Sequence, residues 1–177
     1  MVMDELDGLL ARLAELVSRD PHRAVFAPPA TAQEIAATEA QMGVPLPPSY
    51  KRFLQRFNGG FISRVGDITQ PPYDQASAEW NSNALFGAER LVAEYLEQKD
   101  FWESDMDWPA PWSYVPFCQT EGQEKLAFAP LSSPTDEPQV MDANHEHGPR
   151  QWHAVYEGFI PLLADYLARD GEIETIA

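Results

Sequence analysis

The sequence predicts an α+β fold: one domain with a mixed or mostly antiparallel sheet, flanked by an N-terminal helix pair and a C-terminal helix. Three observations predict it. Helical apolar spacing is concentrated toward the two ends of the 177-residue chain. Strand-like runs bounded by turn residues occupy the middle, and strand and helix do not alternate throughout, as a parallel α/β sheet requires. Hydrophobic content of 44% suits a packed core, and a chain of this length buries about 70% of its unfolded surface without disulfide or metal staples.

The elements follow in order. Residues 1–27 read as a helical extension, with Leu6, Leu9, Leu10, Leu13, Leu16 and Val17 at helical spacing and Asp4, Glu5 and Asp7 at the dipole-favoured start. Residues 28–170 read as the core of the domain. Within it, Thr31 and Glu34 have the spacing of a capping box, and Gly43 stands where a left-handed cap ends the helix. Val44-Pro45-Leu46-Pro47-Pro48 breaks the helix, and Pro48 suits the first turn of the next. Tyr50, Phe53, Leu54 and Phe57 then fall at i, i+3, i+4 and i+7, an apolar stripe ended by Asn58-Gly59-Gly60.

Beyond Gly60 the period changes. Residues 61–65 read as a short strand, residues 67–83 as a long loop, and Leu91, Val92, Tyr95 and Leu96 as a short helix. Residues 114–118 and 125–129 read as strands joined by a turn at Glu121-Gly122-Gln123, and Val140-Met141 as a further strand. Phe159, Leu162, Leu163, Tyr166 and Leu167 mark a final helix that starts near Gly158, because Pro161 fits only the first turn, and stops at Asp170-Gly171.

Charge narrows the function. There are 28 acidic and 12 basic residues, a net charge of −16. That field repels phosphate backbones, so nucleic acid is not an expected partner, and it speeds encounter with a basic one. The single cysteine, Cys118, favours a reducing compartment and reads as a buried structural residue. The start MVMDELDGLL lacks the positive region of a signal peptide, and no apolar run approaches the ~18 residues of a membrane span. The expectation is a cytoplasmic protein without a membrane partner.

Half of the net charge lies in residues 66–110, where ten acids face two bases, Arg90 and Lys99. Aromatic residues are interleaved with the acids, and tryptophan is favoured at interface hot spots. The expected partner-binding residues are Glu97, Asp100, Trp102, Glu103, Asp105, Asp107 and Trp108. Trp112 reads as core. For Trp102 and Trp108 the pattern fits core packing and partner contact equally. Lys51, Arg52 and Arg56 form a basic stripe opposite Phe53 and Phe57, expected to pair with the chain's own acids.

No phosphate loop, nucleophile elbow or H-E-x-x-H motif is present. His145 and His147 would share one face of an extended segment, near Asp142, Glu146 and His153. His145, His147 and His153 are therefore weak metal candidates, but a solvated polar turn is the favoured reading. No catalytic residue, metal or cofactor is expected.

Leu46-Pro47, Tyr50, Phe53-Leu54 and Asn58-Gly59-Gly60, with Tyr114-Val115-Pro116-Phe117 and Gln139-Val140-Met141-Asp142 further on, resemble the SUKH superfamily, the Smi/Knr-type cell-wall-regulator and immunity-protein fold. The resemblance spans about residues 28–170. It implies a non-enzymatic binding domain, and together with the acidic-aromatic segment it gives the expectation of an immunity protein that occludes the active site of a cognate, basic toxin, or alternatively a regulatory or scaffold module of the cell-wall type. A metal-dependent enzyme is the third and least favoured class.

Overall fold

A computed structural model describes residues 2–174 of the chain. Among them are six α-helices and seven strands: α1 (Val2–Arg19), β1 (Ala24–Phe26), α2 (Ala32–Met42), α3 (Pro48–Leu54), β2 (Gly60–Ile62), α4 (Gln75–Trp80), β3 (Ala84–Leu85), α5 (Ala88–Asp100), β4 (Val115–Gln119), β5 (Lys125–Phe128), β6 (Val140–Ala143), β7 (Ala154–Tyr156) and α6 (Phe159–Ala168). The strands form one sheet in chain order, each antiparallel to the next. The α+β expectation is borne out, and of the two sheet types expected, the antiparallel one is observed.

The helix pair forms as its punctuation dictates. The Thr31 hydroxyl accepts from Glu34 N at 3.1 Å, and the Glu34 carboxylate accepts from Thr31 N at 2.7 Å, closing the capping box. Gly43 adopts φ 75° and ends α2. The Glu39 carboxylate then holds the turn, accepting from Leu46 N at 2.8 Å and lying 3.3 Å from Lys51 Nζ. Pro48 opens α3 as expected. Its N-terminus is closed by a remote residue: Glu137 accepts from Ser49 N at 2.8 Å and from Ser49 Oγ at 2.5 Å. Arg52 pairs with both carboxylate oxygens of Asp7, so the basic stripe is in part consumed within the chain, as expected.

The stripe Tyr50, Phe53 and Leu54 is fully buried and meets Phe117, Phe128 and Phe159 in an aromatic core. α1 joins the same core through Leu6, Leu9, Leu10 and Leu13, packing on α6 and α3. Alternation along the short strands divides the sheet. Ala24, Ile62 and Leu85 enter the main core, while Phe61 and Ala84 pack with Ala78 of α4 in a second cluster.

Asn58-Gly59-Gly60 is where three backbone segments converge. A Cβ on Gly59 would stand 2.3 Å from Gly87 N, and one on Gly60 would stand 2.3 Å from Val25 O. The Asn58 side-chain carbonyl accepts from Ala88 N at 2.7 Å and so caps α5. Two buried tyrosines tie helices to strand ends. Tyr50 donates to Phe86 O at 2.7 Å, and the Tyr166 hydroxyl donates to Asn83 O at 2.9 Å while accepting from Ile62 N at 2.8 Å. Tyr166→Phe is expected to cost about 1–3 kcal/mol, because a buried donor and acceptor lose their partner together. Urea unfolding measures it, and an unchanged midpoint would contradict this role.

The structure corrects several element boundaries. Residues 67–83 are not a continuous loop, because Asp74 and Ser77 form a capping box that starts α4. β1, β3 and β7 were not expected. They are two or three residues long, too short to show a period of two. The helix at Leu91 is far longer than expected, and Leu96 points outward, 45% exposed. Cys118 is fully buried, and burial pushes its thiol up to about 12, as a structural cysteine requires.

Candidate partner-binding site

The acidic segment is a continuation of α5. The helix passes without a break into a π-helical turn, Phe101–Asp105, closed by Met106 N donating to Phe101 O at 3.1 Å. Asp107 then adopts φ 52°, a left-handed conformation that aspartate tolerates better than most residues. The chain folds back, and Trp108 N donates to Trp102 O at 2.8 Å. Sequence thus sets two faces. Leu91, Tyr95 and Trp102 lie at i, i+4 and i+11, one inward stripe, while Leu96, Phe101 and Met106 are left outside.

Trp102 is 6% exposed, stacks on fully buried Trp112 at 5.8 Å, and meets Trp108 and Trp152 edge to face. Of the two readings left open for Trp102, core packing is the one observed; its ring fills the core, and it reaches the surface only along the groove beside Met106 and Trp108. Trp112 is core as expected, and Tyr95 donates to its carbonyl at 2.5 Å. Trp108 is half-buried over the same cluster. Glu103 is also diverted: it accepts from Lys99 Nζ at 2.6 Å and from Trp112 N at 2.6 Å. Those two bonds, Lys99 first, hold its carboxyl below the ordinary range. Its stabilising effect is therefore present above the ordinary value of 4.5 and lost as pH falls through the lowered folded value. In thermal unfolding across pH, Glu103→Gln should be less stable than native near neutrality, with the gap closing below about 4.5. A gap that stays constant down to acid pH would contradict the pairing.

Glu97, Asp100, Asp105 and Asp107 are exposed. The two bases of the segment are already engaged, Arg90 by Glu79 and Glu94 and Lys99 by Glu103. Among the described residues no Lys or Arg lies within ion-pair distance of those four acids. Between them stand Phe101, 42% exposed, and Met106, 55% exposed. The face is therefore an apolar strip edged by uncompensated carboxylates. Phe101, Met106 and Leu96 were not among the expected contact residues. Extending the i, i+4 register of Leu91 and Tyr95 through residue 102 is the signal that separates Trp102 from Phe101.

Beside this face is a groove of about 420 Å³ between the π-helical turn and the 3-10 turn Pro149–Gln151. Trp102, Met106, Asp107, Trp108, Pro149 and Arg150 line it, and the Arg150 guanidinium sits 5.6 Å from the Trp108 ring centre.

The histidines are arranged differently. Residues 145–147 form a turn, so His145 and His147 do not share a strand face. His145 Nδ1 lies 2.9 Å from Glu124, whose hydrogen bond raises the imidazole value. His153 lies beyond the 3-10 turn, and its carbonyl accepts from Asp142 N at 2.9 Å. Among the described residues, no group of three or more His, Cys, Asp or Glu side chains is placed to hold a metal ion.

The sequence pattern of the SMI1 / KNR4 family (SUKH-1) matches residues 29–165. The chain belongs to this family. The resemblance carried by Leu46-Pro47, Tyr50, Phe53-Leu54 and Asn58-Gly59-Gly60 is thereby borne out, and a protein-binding or immunity-type role fits a SUKH-1 member. Among curated proteins, none matches the sequence. Among the described residues, no helix of this SUKH-1 chain is long and apolar enough to cross a membrane.

Proposed function

We propose that this SUKH-1 chain is a non-enzymatic immunity protein that binds a basic toxin domain and occludes its active site. The face formed by Glu97, Asp100, Phe101, Asp105, Met106 and Asp107 is the docking surface. The observation that carries this reading is the coincidence, on one short segment, of exposed apolar anchors and four exposed carboxylates that form no ion pair among the described residues, Asp100 only accepting from Ser104 Oγ at 3.1 Å. Carboxylates paired at home add little to association, whereas uncompensated ones steer a cationic partner and pair with it on contact. Phe101 and Met106 supply the desolvated centre that charge alone does not. Trp102 and Glu103 serve the face from beneath, one by filling the core under the π-helical turn and the other by tying Trp112 to Lys99.

The test is inhibition of the toxin encoded beside this gene. An equimolar amount of the chain is expected to abolish the toxin's activity. Full activity in the presence of excess chain contradicts the reading and favours the regulatory-module class.

A further inference from the structure

We propose that the face of Trp108 is a seat for a single guanidinium, held by Arg150 in the free protein and taken over by an arginine of the partner in the complex. This rests on the reading of the neighbouring face as a docking surface for a basic protein, and it names the side chain that surface receives.

Four observations point to it. First, Arg150 already demonstrates the fit, with its guanidinium 5.6 Å from the Trp108 ring centre, within cation–π range. Second, the hold on Arg150 is weak. The side chain is exposed, and among the described residues no carboxylate lies within 4.0 Å of it. Among the described residues it is one of four of the chain's twelve bases that form no ion pair, with Arg12, Arg19 and Arg56. Third, the groove supplies what an incoming arginine needs beyond the ring. Met106, Pro149 and the edge of Trp102 offer apolar wall for the methylene stem, and Asp107 lines the same groove, exposed and without a cationic partner. The left-handed backbone at Asp107 and the Trp108–Trp102 hydrogen bond fix the acid and the ring relative to each other before binding. Fourth, Arg150 itself does not use Asp107, so a second guanidinium that stacks and pairs together has the advantage over one that only stacks.

The groove is therefore selective for arginine. Lysine lacks the planar group that stacks, an acidic side chain is repelled by Asp107, and a neutral one leaves Asp107 without a cation. Displaced Arg150 swings into solvent at the rim, where it is available to an acid on the partner.

The probe is a blocked Gly-Arg-Gly amide titrated into the full chain, with the citrulline peptide of the same shape but no charge as control. The readout is the indole N–H resonance of Trp108, assigned with Trp108→Phe. The arginine peptide is expected to shift that resonance saturably, with a Kd on the order of 1 mM, and the citrulline peptide to leave it in place. Arg150→Ala should bind the arginine peptide at least about threefold more tightly, because the competitor is gone, and Asp107→Asn at least about threefold more weakly. Equal shifts from both peptides, no shift from either, or weaker binding in Arg150→Ala overturns the proposal. Toxin inhibition is scored separately. Inhibition without arginine-peptide binding removes this seat and leaves the immunity reading standing. Arginine-peptide binding without inhibition does the reverse.

Discussion

Gly59→Ala is expected to cost more than about 4 kcal/mol, whereas Gly43→Ala is expected to cost only about 1–2 kcal/mol. The two glycines have nearly the same backbone, φ 81° and φ 75°, so the intrinsic strain of a side chain is common to both. They differ in space. Nothing lies within 4 Å of a Cβ built on Gly43, but one on Gly59 would stand 2.3 Å from Gly87 N and 2.8 Å from Leu85 O. Both neighbours are backbone, and they belong to the segment that leaves β3 for α5, so relief of the collision requires β2 and β3 to separate. Asn58 would then lose Ala88, the group whose N–H it caps. The expected loss exceeds about 4 kcal/mol, a large share of a typical domain's stability. Urea unfolding of the two variants in parallel decides it. Similar midpoints would show that the glycine pair is not the point of closest approach between strands.

Phe101→Ala and Met106→Ala are each expected to weaken toxin binding by about 30-fold with little change in stability, the behaviour of exposed hot-spot residues. Trp102→Ala should do the opposite. Removing a buried, stacked tryptophan is expected to cost about 3–5 kcal/mol of stability, with binding lost chiefly through the fold. Calorimetric Kd and thermal unfolding measured on all three variants separate the roles. If Phe101→Ala and Met106→Ala bind like the native chain, the apolar strip is not the contact. If Trp102→Ala is stable but deficient in binding, its placement in the core is not what matters.

The contrast between Phe101 and Trp102 also shows how far the sequence could be read. Residues 31–60 carry their own punctuation, and Thr31, Glu34, Gly43 and Pro48 act where their chemistry says they should. Those signals are local, so one sequence suffices. Ser49 and Glu137 lie 88 positions apart, and the cap they form has no local signal. β3 spans two residues, and its existence depends on Gly59 and Gly60 letting strands approach. The acidic segment was legible as a charge concentration but not as a surface. Which of two adjacent aromatics faces inward depends on whether α5 continues past Leu96, and the π-helical turn that carries it to Asp105 has no simple composition. Glu103 is set apart from Asp105 and Asp107 by Lys99, an i,i+4 partner within reach along one helical turn, and by Trp112 N, a contact that the fold brings about.

The central claim is that four uncompensated carboxylates draw a basic toxin onto this face. The most direct test is the association rate constant of native chain and of the fourfold variant Glu97→Gln, Asp100→Asn, Asp105→Asn, Asp107→Asn with the adjacent gene's toxin, by stopped flow at low and at physiological ionic strength. Among the described residues none of the four acids holds an ion pair, so the variant is expected to fold as the native chain does. The account predicts association slowed by roughly tenfold or more at low salt, with the native chain's steep salt dependence flattened in the variant. Equal rates with parallel salt dependence would contradict it.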